Sequence, residues 1–156
     1  MTSALDVAQV FLNFARDERR RLTNMQLQKL VFFAHGIHLG AFDGEPLIEE
    51  EVRAWDFGPV IPVLYEELRR YGRGNVEDDL VHELPPELHD SESSQMEAIR
   101  TAWASYKDMT AWQLSEISHL DESPWAQVWN QRRYAPIPDR LIRDYYRQHL
   151  DIQNAD

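Results

Sequence analysis

"LTNMQLQKLVFFAHGIHLGAF", residues 22–42, opens with Thr23 and Gln26 in capping-box spacing, so a helix is expected to begin there. Leu27, Leu30, Val31, Ala34 and His38 form one stripe along it, and Phe32, Phe33, Ile37 and Leu39 cover much of the remaining surface. A helix that is apolar nearly all round is a buried one, so this helix is expected at the centre with other elements arranged about it. Ala34, Gly36 and Gly40 are small, so neighbouring backbones can approach it closely.

On the N-terminal side, Ala4, Leu5, Ala8, Phe11, Leu12 and Ala15 recur at helical spacing, with Val7, Val10 and Phe14 widening the apolar face. Arg19, Arg20 and Arg21 follow, where cations favour the negative end of a helix dipole. A nucleic-acid patch is the sharper reading of these arginines, but Asp17 and Glu18 adjoin them.

On the C-terminal side, "DGEP" turns the chain, and "PLIEEEVRAWDF", residues 46–57, alternates enough for one short strand or hairpin. Pro62 disfavours helical geometry at Ile61, so "GPVI" reads as an elbow and the next helix begins at Pro62. Leu64, Tyr65, Leu68 and Tyr71 continue that helix, with Glu66 and Arg70 placed to pair at i,i+4. Further helices are expected through Met96, Ile99, Trp103 and Tyr106, and after the Thr110–Gln113 capping box. A short one should start at Ser123–Pro124, and a last one at Pro138, bearing Leu141, Ile142, Tyr145 and Leu150. The expected fold is mainly α: a single-domain helical bundle over residues 1–156, with a small β insertion around residues 46–57.

The 156 residues are enough for a core without metal or disulfide support, and there is no cysteine. A cytoplasmic location is favoured. The N-terminal stretch is too evenly amphipathic for a signal peptide, and no apolar run approaches the roughly 20 residues of a membrane span. The net charge is −11, and residues 74–99 carry eight acids with no Lys or Arg. That concentration argues against nucleic-acid binding, whose affinity comes from neutralised phosphates. It is compatible with a basic protein partner and equally with a solvated loop.

Chemistry is sparse. His35 and His38 share a helix face but lie in the most apolar segment, where a buried, hydrogen-bonded pair is expected rather than a metal site. His82 and His89 lack the spacing of a zinc-protease helix, and there is no phosphate-binding glycine loop and no GxSxG. No cofactor, metal or catalytic residue is expected.

Three segments, "LQKLVFFAH" (27–35), "WDFGPVIPVLYEEL" (55–68) and "LSEISHLDESPW" (114–125), occur in an order that resembles the Panacea domain, the SocA-like or phage-associated GepA-like antitoxin domain. The chain has Phe57 where that family often has tyrosine, and Ser118 where threonine is common. The resemblance implies a mainly helical antitoxin of a toxin–antitoxin pair, neutralising its toxin by direct protein contact. In one SocA-like branch the domain instead acts as an adaptor delivering the toxin to a protease. Some relatives carry an added DNA-binding domain, for which no residues are spare here. An undetected hydrolase is the remaining alternative. Trp55, Phe57, Gly58, Pro59, Tyr65, His119 and Trp125 are the candidate corner and partner-contact residues, with Trp125 expected near the surface.

Overall fold

The computed structural model describes residues 2–154. Its elements run α1 (Ala4–Asp17), α2 (Asn24–Ala41), β1 (Arg53–Trp55), β2 (Gly58–Val60), α3 (Pro62–Leu68), α4 (Ser94–Tyr106), α5 (Ala111–Ser118), α6 (Pro124–Trp129) and α7 (Asp139–Asn154). Short 3-10 turns lie at Arg69–Tyr71 and Pro86–Leu88.

The capping box at Thr23 forms, with the hydroxyl accepting from Gln26 N. α2 then runs through the centre, touching α1, α3, α4, α5, α7 and β2. Its all-round apolar surface is what permits so many neighbours. Phe33 stacks on Tyr106 of α4 with ring centroids 4.4 Å apart. Towards α7 the contact is backbone-close. A β-carbon on Gly36 would stand 2.3 Å from the Tyr146 ring, and one on Gly40 would stand 2.9 Å from the backbone nitrogen of Arg147.

The two central histidines are structural fasteners. His35 is fully buried, and its Nδ1 accepts from the backbone amides of Leu47 (3.3 Å) and Ile48 (3.4 Å). Its Nε2 therefore carries the proton and donates to Asp139 at 3.0 Å, tying α2 to the start of α7. His38 donates from Nδ1 to the Glu45 carbonyl (2.6 Å), leaving Nε2 to accept from the Ser94 hydroxyl (2.8 Å). Burial pushes the His38 pKa down, which favours this neutral form.

The β insertion expected around residues 46–57 is present, with its paired residues at 53–60. Arg53 faces Val60, Ala54 faces Pro59 and Trp55 faces Gly58, antiparallel. "GPV", read from the sequence as an elbow, is thus the returning strand itself. Residues 47 and 48 do not extend the hairpin because their amides are committed to His35. On the other edge of β1, Ala54 N donates to Ala135 O (3.0 Å), Tyr134 N to Ala54 O (2.9 Å) and Ile137 N to Val52 O (2.8 Å). The segment before α7 therefore covers what would otherwise be an open strand edge.

Pro62 does open α3, after an extended Ile61. The Glu66–Arg70 pair does not form. The chain tightens into the 3-10 turn, so Glu66 meets Arg69 instead (3.4 Å), while Arg70 turns to the Tyr71 hydroxyl (3.0 Å). The acidic stretch is partly stitched to α1. Asp79 accepts from Arg16 and from Gln9, and Gln9 in turn accepts from Leu80 N at 2.6 Å.

Candidate functional site

The hairpin tip, Trp55 to Pro59, lies against α2 and α5, and its backbone polar groups are held by side chains from both. Lys29 of α2 donates from Nζ to the carbonyls of Phe57 (3.1 Å) and Pro59 (3.0 Å). Ser115 of α5 donates to the same Phe57 carbonyl at 2.8 Å. Ser118 donates to Ser115 O at 2.7 Å and lies directly over Gly58. Gly58 has φ +113°, and a β-carbon there would stand 2.6 Å from Ser118 Oγ and 2.8 Å from Lys29 Nζ. From α6, Trp125 donates its indole N–H to the Trp55 carbonyl at 2.6 Å.

Aromatic contacts complete the corner. Trp55 meets Tyr65 edge-on at 5.1 Å, and His119 meets Trp125 edge-on at 5.2 Å. Trp125 also stacks on Trp129 at 5.3 Å. The His119 Nδ1 is buried without a hydrogen-bond partner among the described residues.

The structure thus gathers all seven sequence candidates into one region but gives them unlike surroundings. Gly58 and Pro59 are buried, Trp55, Tyr65 and His119 are half-buried, and the Phe57 side chain is 65% exposed. Trp125 is 9% exposed, not at the surface as its place after an acidic turn implied. Its indole N–H is spent on the hairpin, which draws the ring inward.

Lys29 is the unusual charge of the site. Its side chain is fully enclosed, and burial lowers its pKa to about 7. A neutral amine still has two N–H donors for the two carbonyls. In the unfolded chain the ammonium keeps its proton to about pH 10.4. Between about pH 7 and that value the unfolded state binds more protons, so stability rises with pH across this window. Denaturant melts at stepped pH should show wild type gaining on Lys29→Met from about pH 7 upward. Parallel curves would remove the depressed lysine from the account.

Beside the tip lies an open cavity of about 850 Å³. Met25, Trp55, Phe57, Tyr65 and Trp112 supply its apolar wall, and Arg69 and Arg73 its basic part. Trp112 is 69% exposed. The sequence reading passed over Trp112, Lys29 and the two arginines. Trp112 was findable. It precedes Leu114 by two residues, about 200° around the helix, and so falls opposite the buried Leu114 side. Among the described residues no group of three or more His, Cys, Asp or Glu is placed to hold a metal ion. No helix among them is long and apolar enough to cross a membrane.

The early helix, the Gly-Pro hairpin and the late Ser-His segment thus lock together at one corner. The family model "Antitoxin SocA-like, Panacea domain" matches residues 27–126, and the chain belongs to that family. The chain is also similar to Antitoxin SocA of Caulobacter vibrioides (strain NA1000 / CB15N). The two are 31% identical over 156 residues, covering 90% of this chain and 80% of that one. No solved structure matches the chain.

Proposed function

We propose that the protein is a cytoplasmic antitoxin that neutralises a cognate, basic toxin by direct contact and performs no reaction of its own. One observation supports the contact most. The hairpin tip has its carbonyls fixed by Lys29, Ser115 and Trp125, while the Phe57 side chain stands out into solvent. A rigid backbone presenting an exposed aromatic loses little conformational freedom when a partner covers it. Co-expression with the product of the neighbouring reading frame tests the proposal. Growth should be rescued and the two proteins should co-purify. Toxicity that persists beside abundant folded antitoxin would refute it.

The basic character of the toxin rests on the acidic stretch. Asp79 is unsuitable for testing it, because Asp79 anchors to Arg16 and Gln9. Glu77, Glu83 and Glu92 are exposed. Reversing these three to lysine should slow association and weaken its salt dependence, leaving the melting temperature nearly unchanged. Stopped-flow association rates indifferent to both salt and reversal would leave the stretch with solvation alone.

A further inference from the structure

We infer that the groove between the hairpin tip and α5 receives an apolar segment of the toxin, and that this segment carries a carboxylate side chain beside its apolar anchors. This rests on the antitoxin reading and goes past it, since it names the surface and the chemistry of what enters.

The groove's volume of about 850 Å³ lies in the usual range of ligand sites, about 300–1,000 Å³. Much of its apolar wall stands open to solvent. Among its lining residues Phe57 is 65% exposed, Trp112 69%, Tyr134 49% and Met25 39%. A small molecule seated in the cavity would leave much of these side chains in water, whereas a protein segment lying along the groove covers them. Contiguous exposed apolar surface of this kind marks protein contact sites, and exposed aromatic side chains supply most anchors.

Charge selects the occupant's polar part. The chain carries −11 overall, yet the groove's lining holds Arg69, Arg73 and Lys29 against a single carboxylate, Asp56. That carboxylate is already taken by the Tyr134 hydroxyl. Lys29 is spent on the two hairpin carbonyls. Arg69 has only a long contact to exposed Glu66 (3.4 Å), and its side chain is 64% exposed. Two solvent-facing guanidinium groups beside an aromatic wall complement an Asp or Glu next to large apolar side chains. The toxin as a whole is proposed to be basic, so the two effects separate kinetically. The overall field governs association, and the local carboxylate contact governs dissociation.

The test uses the full chain and the product of the neighbouring reading frame, with binding kinetics and melting temperature read together. Trp112→Ala should raise the dissociation constant about thirtyfold or more with the melting temperature nearly unchanged. Arg69→Glu with Arg73→Glu should raise the dissociation rate at least about tenfold without slowing association. Because the chain has no cysteine, Trp112→Cys gives a unique attachment point for a photocrosslinker. The crosslinked toxin peptide should contain large apolar residues and an Asp or Glu. If wild type neither binds nor rescues, the antitoxin reading falls and this inference falls with it. If wild type binds but Trp112→Ala binds as tightly, the reading stands and the groove is overturned. An unchanged dissociation rate in the double arginine variant, or a crosslinked peptide without an acid, overturns the carboxylate. A crosslink to a second copy of this chain overturns the choice of occupant.

Discussion

Trp125→Ala should destabilise the protein by about 3–5 kcal/mol, the usual cost of emptying a buried tryptophan site. The ring is 9% exposed and stacked on Trp129, with His119 edge-on. Its loss opens a void between α6 and the hairpin and removes the donor to the Trp55 carbonyl. Trp125→Phe separates these contributions. It keeps most of the ring volume and loses the N–H, so it should cost about 0.5–1.5 kcal/mol, the usual net worth of one hydrogen bond. Trp55→Ala is the contrasting change, since that ring is only half-buried and lines the groove. It should destabilise less than Trp125→Ala and weaken toxin binding more than its stability loss explains. Urea melts of the three variants decide the matter. A Trp125→Ala protein as stable as wild type would mean the corner is not held through this indole.

Gly58→Val carries the second large effect, for two independent reasons. At φ +113° a β-branched side chain is strained, at about 1–3 kcal/mol. The new β-carbon also enters space held by Ser118 Oγ at 2.6 Å and Lys29 Nζ at 2.8 Å. Overpacking of this sort adds about 1–3 kcal/mol. The Lys29 amine is poorly able to yield, because moving it gives up two carbonyl contacts in a dry site. Combining Gly58→Ala with Ser118→Ala tests the division. Removing the hydroxyl should recover part of the packing cost and none of the backbone cost. Full recovery in thermal melts would show that the positive φ is unstrained.

Much of this architecture can be read locally. Thr23 with Gln26, Thr110 with Gln113, and Ser123 with Pro124 mark helix starts through short-range bonds that the structure contains. The central place of α2 follows from Phe32, Phe33, Ile37 and Leu39 lying outside its main apolar stripe. The candidate residues come from two separated motifs, and Trp55, Gly58, His119 and Trp125 do meet. What escaped depends on distant partners. Residues 46–52 look strand-like, but the amides of Leu47 and Ile48 go to His35 on another element. The strand-like bridging of residues 134–137 to β1 depends on a pairing across some eighty positions, which no local pattern announces. Lys29 sat unremarked inside an apolar helix because a buried lysine makes sense only once its two carbonyl acceptors are in view.

The close seating of Tyr146 against Gly36 sets an order of events for a chain still being made. α2 leaves the ribosome early and is apolar nearly all round, while the helix that covers its glycine side is synthesised about 110 residues later. At about 5–20 residues per second the interval is roughly 5–20 s. During it the most hydrophobic segment of the nascent protein has no α7 to lie against, and Gly36 and Gly40 offer no side chains of their own to shield it. Each newly made molecule therefore passes through a window in which α2 is exposed as the kind of apolar segment that aggregates or engages chaperones, and the window closes when Tyr146 docks.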